Sequence, residues 1–197
     1  MNKKETKIDV NEYDSVISLG CCCENTFAIR KLPLNKQKIS YPFDWIAIYD
    51  VDDICKLIEN RFDKFDEVIM TNNIHVDKPI KQLKCVYYDI YFPHHTEMKF
   101  NMIFNRKIEV FYNELNSDKK ILFLLKCHRY NKCSSQQARR LISILNTFKC
   151  KYKLLIINEF DTEDKGVYPN ECIVYQIDDV IPCDIRDFTF WKNTFIY

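Results

Sequence analysis

Three consecutive cysteines are the residues of this chain best suited to nucleophilic chemistry. Cys21, Cys22 and Cys23 follow Gly20, where a predicted strand gives way to a predicted helix. The first N–H groups of such a helix have no partner within it and carry partial positive charge, which lowers the pKa of a nearby thiol and stabilises an oxyanion. The sequence therefore predicts a reactive cysteine at this turn, although three small buried packing residues would give the same pattern.

Two further segments carry side chains that could assist such a cysteine. His94 and His95 follow Pro93 at the end of a predicted strand, where a histidine can act as a general base, bind a metal ion or simply lie on the surface. Asp44 lies in the rigid, aromatic segment 41–45, where an unpaired carboxylate would be costly to bury. Asp44 is therefore expected either to accept hydrogen bonds within a turn or to orient a histidine.

Other candidate groups carry weaker signals. His128, Lys126 and Arg129 follow the apolar segment 121–125, and ligands of open parallel sheets gather beyond the carboxyl ends of strands, although a solvated loop is the simpler interpretation. The chain has ten cysteines and four histidines, but not the paired C-x₂₋₄-C spacing of structural zinc sites. It also lacks glycine-rich phosphate-binding motifs. Neither a metal nor a cofactor is predicted.

Composition limits the classes of partner and of location. Lys and Arg number 29 against 28 Asp and Glu, so whole-chain charge gives no reason to expect a nucleic-acid or membrane partner. The longest apolar run, 121–125, is far too short to cross a bilayer, and residues 1–9 lack the apolar region of a secretory signal. These features predict a soluble cytoplasmic protein (host cytoplasm, for a viral one) whose cysteines are reduced rather than paired.

Hydrophobic periodicity predicts an alternation of strands and helices. The predicted strands are 14–19, 84–92, 121–125, 154–157 and 172–177. The predicted helices are 24–31, one near 51–58 capped by Asp50 or Asp52, 62–69, 97–115, and one capped by Ser134 or Ser135. Because the apolar strands are joined through amphipathic helices, we expect a single three-layer α/β domain, residues 13–197, with a mostly parallel central sheet and helices on both faces. Residues 1–12 are expected to form a flexible charged tail.

Three segments, taken in order, resemble a family of bacteria and large DNA viruses. They are Ile-Ser-Leu-Gly-x-x-Cys (17–23), Ser-Tyr-Pro-Phe-Asp-Trp (40–45) and Phe-Pro-His (92–94). The family is of unknown function, and its members are regarded as papain-like cysteine peptidases. The similarity covers most of the chain. The predicted parallel strands differ from the antiparallel sheet usual in papain, so the resemblance concerns the residues more than the fold.

The resemblance implies a cysteine hydrolase with three site residues. Matched motif by motif, the nucleophile is Cys23, the general base is His94 and the orienting acid is Asp44. The chain departs from the family pattern at His95, where an acidic residue is common, and at Lys126, where arginine is common; either change could alter substrate handling or abolish catalysis. The implied substrate is a protein or peptide.

Two alternatives to the hydrolase remain open from the sequence. One is a catalytically inactive interaction or effector module on the same scaffold. The other is a thiol redox protein, for which Cys21 and Cys22 lie too close to Cys23 in sequence to be suitable resolving partners.

Overall fold

A computed structural model gives the fold and describes residues 7–20, 23–32, 39–75, 78–93, 100–127, 132–159, 166–177 and 194–196. Its helices are α1 (Cys23–Lys31), α2 (Val51–Glu59), α3 (Phe100–Leu115) and α4 (Ser135–Leu145), with a 3-10 helix at Val10–Glu12. Its strands are β1 (Ile8–Asp9), β2 (Ser15–Ser18), β3 (Ala47–Ile48), β4 (Val68–His75), β5 (Lys78–Cys85), β6 (Ile90–Phe92), β7 (Lys120–Cys127), β8 (Lys151–Glu159), β9 (Cys172–Ile177) and β10 (Phe195–Ile196). These elements make a mixed α/β domain.

Four parallel strands form one sheet, in the order β2-β7-β8-β9. Strand β7 is apolar and buried along nearly its whole length, as expected of a strand with a neighbour on each side and cover on both faces. Ser18 of β2 lies opposite Leu124 of β7, which in turn lies opposite Leu155 of β8. The predicted parallel pairing of the strand before Gly20 with the two later apolar strands is therefore confirmed.

Side chains alternate between the two faces of this sheet and separate two hydrophobic clusters. Leu122 of β7 belongs to a cluster with Ala28 and Ile29 of α1. Phe123, the next residue along β7, belongs to the other cluster, which contains residues of α2, α3 and α4. Each of the two clusters thus contains residues from helices. The arrangement of the domain in three layers stays a prediction.

A second sheet, of antiparallel strands in the order β3-β6-β5-β4, was not predicted. The interpretation of residues 84–92 as one strand is wrong, because residues 86–89 bend between β5 and β6. The bend is held by the Asp89 N–H, which donates to Asp53 Oδ2 at 3.0 Å, and by the Val86 N–H, which donates to the Glu67 carbonyl at 2.8 Å. Of the alternating residues, Ile90 and Phe92 are buried in β6, whereas Val86 lies in the bend and is half exposed.

The predicted helix at 62–69 is also wrong, because residues 60–66 form successive turns before β4 begins. Arg61, Phe62 and Lys64 have φ values of 55°, 60° and 57°, in the left-handed region that an α-helix cannot contain. Phe62 and Phe65 are nevertheless both buried, with ring centroids 5.3 Å apart. Their spacing of three residues is also typical of one face of a helix, which is why the sequence predicts a helix here. In the structure the packing of the two rings stabilises the turns instead.

Residues 8–12 form regular structure near the amino terminus. Ile8 and Asp9 form β1, which pairs in parallel with β10, and Ile8 and Val10 are buried in the cluster on the α1 face. These residues lie within the segment predicted as a tail. The division into a tail and one domain stays a prediction.

Side-chain caps fix the starts of α2 and α4, as the sequence predicts. Asp50 accepts a hydrogen bond from the Asp52 N–H at 2.8 Å. Ser134 and Gln137 form a reciprocal capping box, in which each side chain accepts a hydrogen bond from the other residue's backbone N–H. The two helices are joined by Arg140, which pairs with Asp52 of α2 at 2.6 Å.

Substituting Ser134 with alanine is expected to lower the free energy of unfolding by about 1 kcal/mol, because the Gln137 N–H at the start of α4 loses its acceptor. Urea unfolding followed by circular dichroism measures the change. Ser143→Ala, at an exposed position within the same helix, is the matched control and should be neutral. An equal loss in both variants would contradict the capping role.

No helix among the described parts of the chain is both long enough and apolar enough to cross a membrane. Within the same parts, no group of three or more His, Cys, Asp or Glu residues is arranged to hold a metal ion.

Candidate active site

The turn between β2 and α1 requires glycine. Gly20 has a φ of +100°, a conformation that residues with a Cβ rarely adopt. A Cβ at this position would lie 3.2 Å from Ile48 Cδ1, so the turn is also closely packed against β3. The Gly20 N–H donates to Ser18 Oγ at 3.2 Å and its carbonyl accepts from Asn25 Nδ2 at 2.7 Å. The chain is therefore held firmly as it leaves the sheet.

Cys23 is the first residue of α1, which begins at the carboxyl end of β2. For Cys23 the structure describes the backbone, which lies in the first described turn of α1. This agrees with the expectation of a cysteine near the start of the helix, and its role in a site stays a prediction. Cys21 and Cys22 lie outside the described residues.

Asn25 is a buried polar residue in the first described turn of α1. Its side chain is fully buried, and among the residues that the structure describes its Oδ1 has no hydrogen-bond partner. Its Nδ2 donates to the Gly20 carbonyl, so the amide ties the start of α1 to the turn that precedes it.

Asp44 joins the 41–45 segment to α1. One carboxylate oxygen accepts from Thr26 Oγ1 at 3.1 Å, and the other accepts from Ser40 Oγ at 3.1 Å and from the Tyr41 N–H at 2.9 Å. Burial raises the pKa of Asp44, and these three donors, together with the nearby Lys107 ammonium, oppose that rise. The structure therefore supports the prediction of a turn-forming aspartate and places its carboxylate beside the second turn of the Cys23 helix.

Trp45 packs along the same helix. Its φ is 66°, which is unusual for a bulky residue, and its ring makes an edge-to-face contact with Phe27 at a centroid distance of 4.7 Å. The Arg30 guanidinium lies over the Trp45 ring, also at 4.7 Å. Positions 23, 27 and 30 of a helix share one stripe, so Trp45 packs against the stripe that includes position 23.

Lys107 of α3 adds a buried cation to this region. The residue is 9% exposed, and its ammonium lies 4.7 Å from the centroid of the Phe104 ring. Burial lowers the pKa of Lys107, Asp44 opposes that change, and Arg30 adds to it. Three charged groups from α1, α3 and the 41–45 segment thus influence one another.

The structure brings together only part of the predicted site. It places the Cys23 backbone and the Asp44 carboxylate at the same helix, while His94, His95 and His128 lie outside the described residues. Lys126 is fully buried near the end of β7. It lies on the α1 face of the sheet by alternation with Leu124.

Sequence reasoning missed Thr26, Asn25 and Lys107. Thr26 could have been found from its position three residues after Cys23, on the side of the helix that faces the aspartate segment. Lys107 follows Arg106 directly in α3, and the sequence alone does not show which of the two cations is buried.

The remaining described cysteines have the environment of packing residues. They are all free: Cys55, Cys85, Cys127, Cys133, Cys150 and Cys172. Burial raises the pKa of Cys55 to about 12 and that of Cys172 to about 11, so these thiols are protonated at neutral pH.

Comparison with known proteins identifies the family that the three sequence motifs resemble. Residues 14–157, which include β2, the 41–45 segment and β7, match the family described as "Putative papain-like cysteine peptidase (DUF1796)". The chain belongs to this family. The match of this papain-like family ends within β8, so β9 and β10 lie beyond it.

A viral relative is also found. An uncharacterised protein of Acanthamoeba polyphaga mimivirus, R408, is 28% identical over 156 residues, which cover 66% of this chain and 69% of the relative. No solved structure matches the chain.

Proposed function

We propose that this chain is a cysteine hydrolase that cleaves an acyl bond of a peptide or protein substrate through Cys23. The observation that carries the proposal is the position of Cys23 as the first residue of α1, directly after a glycine-dependent turn at the carboxyl end of a parallel strand. Such a position supplies positive potential to a thiolate. The description of the family, which concerns peptidases, favours the same class of reaction.

In the proposed reaction, the Cys23 thiolate attacks the substrate carbonyl carbon, and the carbonyl π electrons move to its oxygen. The first N–H groups of α1 stabilise this oxyanion. His94 then donates its proton to the leaving amine as the bond to carbon breaks, which leaves a thioester on Cys23. Water attacks the thioester while His94 takes its proton, the bond to sulfur breaks, and the acid is released; Cys23 leaves as the thiolate and His94 is again protonated, as at the start.

Asp44 has the proposed role of orienting His94. A carboxylate has about four acceptor sites, and three of those of Asp44 accept from Thr26, Ser40 and Tyr41. One site therefore remains for a histidine N–H, which would fix the tautomer that the base requires. The three described hydrogen bonds would hold the carboxylate rigidly for that purpose.

Alkylation of the thiols tests the proposal. The protein is treated with iodoacetamide across a series of pH values, and mass spectrometry measures the rate at each cysteine. We expect Cys23 to react with a midpoint well below that of Cys172, whose pKa is raised to about 11 by burial. We expect His94→Ala to slow the reaction of Cys23 at neutral pH by about tenfold, because the thiolate loses its partner.

His75→Ala, on β4 of the antiparallel sheet, is the matched control and should leave the rate at Cys23 unchanged. If Cys23 reacts no faster than expected for an ordinary thiol, and His94→Ala leaves its rate unchanged, the hydrolase proposal is wrong. The inactive interaction module would then replace it.

Two further expectations belong to the proposal, one about the fold and one about the cellular location. We propose a three-layer arrangement around the parallel sheet, which the assignment of helical residues to the clusters of both faces supports. We also propose that the protein acts in the cytoplasm, where the free thiols of the described cysteines would remain reduced.

A further inference from the structure

Strand β4 is an open edge of the antiparallel sheet. In the described sheet it has a single neighbour, β5, with which it pairs from Val68 to His75. The strand at the other edge, β3, has only two residues, and short edge strands are one way in which proteins avoid edge-to-edge pairing. By contrast, β4 has eight residues in unbroken register and offers a long row of backbone groups to a further strand.

One hydrogen bond shows which backbone groups of β4 face the open edge. The Val86 N–H donates to the Glu67 carbonyl at 2.8 Å, and these two residues continue the register of β4 with β5 as a hydrogen-bonded pair. Such pairs alternate along antiparallel strands, so the odd-numbered residues of β4 bond to β5. The even-numbered residues therefore direct their N–H and C=O groups away from β5. They are Val68, Met70, Asn72 and Ile74.

The open edge carries exposed apolar side chains and lacks the usual protection against pairing. Met70 is 51% exposed, and Ile69, on the opposite face of the strand, is 53% exposed. The Asn72 carbonyl accepts a long hydrogen bond from Thr71 Oγ1, at 3.5 Å, and retains a lone pair for a shorter one. No Lys, Arg, Asp, Glu or Pro occurs from Val68 to His75, whereas natural edge strands are commonly protected by charged residues or proline.

Strand β4 can pair with a second β4 in one fully overlapping antiparallel register. A two-fold axis through Thr71 places position 70 of one copy opposite position 72 of the other, and position 68 opposite position 74. All four positions direct their backbone groups to the edge. Each can therefore donate and accept one hydrogen bond, which gives about eight hydrogen bonds between the two copies.

The residues that this register places opposite one another are compatible in charge. Uncharged residues face one another along the strand. Glu67, just before β4, lies opposite position 75 of the second copy, which is a histidine and can donate a hydrogen bond to the acid. The lysines at positions 78, 81 and 84 belong to β5, one strand away from the contact in each copy. A second copy of the chain therefore meets no like charge along this edge.

We propose that two copies of this chain pair through β4, so that their four-stranded antiparallel sheets join into one continuous sheet. The partner is a second copy because the edge is long, uncharged and self-complementary about Thr71. Residues of equal parity oppose each other, so the core face of one sheet continues into the core face of the other. The inference concerns assembly and does not depend on the chemistry of Cys23.

Sedimentation velocity of the full chain over a range of concentrations measures the association. We expect the wild-type protein to pass from monomer to dimer as its concentration rises. Thr71→Lys should weaken the dimer by about tenfold, because two ammonium groups then face each other at the axis, and Thr71→Glu should do the same. A mixture of these two variants should dimerise again, since each lysine faces a glutamate. Asn113→Lys, at an exposed position of α3, is the matched control and should leave the association unchanged.

Two proline variants test the directions of the backbone groups. Asn72→Pro removes an N–H that faces the open edge, so the dimer loses two hydrogen bonds and should weaken by roughly thirtyfold. The melting temperature of the dilute monomer should change little, because that N–H has no role in pairing with β5. Thr71→Pro removes an N–H that bonds to β5 and should lower the melting temperature markedly.

Amide hydrogen exchange separates a dimer from cover by another part of the same chain. In the wild-type dimer the amides of residues 70 and 72 should be protected. In the Thr71→Lys monomer they should exchange about tenfold faster, while those of residues 69 and 71 stay protected by β5. Equal protection of residues 70 and 72 in both proteins would overturn the dimer, because the chain then covers its own edge. A wild-type protein that stays monomeric at every concentration, or a dimer that survives both Thr71→Lys and Asn72→Pro, would overturn it as well.

Discussion

The Asp44→Ala variant is expected to lose about 3 kcal/mol of unfolding free energy. The substitution removes the acceptor of three hydrogen bonds, of which those from Thr26 Oγ1 and the Tyr41 N–H are buried, and it removes the negative charge that opposes the Lys107 ammonium. Urea unfolding followed by tryptophan fluorescence measures the loss. Asp66→Ala, at an exposed position, is the matched control and should change the value by less than about 0.5 kcal/mol.

The pH dependence of Asp44→Asn separates the charge of Asp44 from its hydrogen bonds. Burial raises the pKa of Asp44 in the folded state, so the folded protein binds that proton more tightly than the unfolded chain does. The stability that follows from this is fully present below the unfolded pKa and is lost as the pH rises through the folded pKa. Asparagine carries no such ionisation, so the cost of Asp44→Asn should be larger at low pH than at neutral pH. A cost that grows toward neutral pH would contradict the raised pKa.

Gly20→Ala is expected to lower the unfolding free energy by about 2 kcal/mol and to slow alkylation of Cys23. Alanine is strained at a φ of +100°, which accounts for about 1 kcal/mol or more, and its Cβ would lie 3.2 Å from Ile48 Cδ1. Relief of either strain requires the turn to move, and α1 begins only three residues later. Urea unfolding and the alkylation rate at neutral pH measure the two effects.

An Ile48→Val background divides this cost into its two parts. Valine lacks the Cδ1 atom, so Gly20→Ala should be less costly in that background, while the part due to φ remains. If Gly20→Ala costs the same with isoleucine and with valine at position 48, the contact contributes nothing and the backbone conformation carries the whole effect. A neutral Gly20→Ala in the native background would contradict both parts.

Much of the fold could be predicted because some local sequence patterns are compatible with only one kind of structure. The run of apolar residues in β7 can be buried only between neighbours on both sides, and the periodic residues of α2 and α4 come with their own capping side chains. The turns at 60–66 were missed because a spacing of three between buried aromatics has two causes. Phe62 and Phe65 are three residues apart because their rings pack against each other across turns with left-handed backbone conformations. The residue pattern does not distinguish this arrangement from a helix.

The candidate site could be predicted only where its geometry is local. The position of Cys23 at a helix start follows from one glycine between a strand and a helix. The involvement of Asp44 in a turn follows from its aromatic neighbours, but its bond to Thr26 joins residues 18 apart, and its electrostatic partner Lys107 is on α3. Such long-range pairs depend on tertiary packing, which leaves little trace in the sequence.

The pairing of β2 with β7 sets the time at which the Cys23 region can form during synthesis. Asp14, just before β2, accepts from the Lys120 N–H across 106 residues, and β7 is the only described strand beside β2 in the parallel sheet. Closing so long a loop is entropically costly and slow, so β2 and α1 gain their support late in folding. At usual rates of translation, β7 is made roughly 5 to 20 s after Cys23. A ribosome-bound chain would therefore lack the folded Cys23 turn until β7 is made, so the site of the proposed hydrolase would form only after most of the chain has been synthesised.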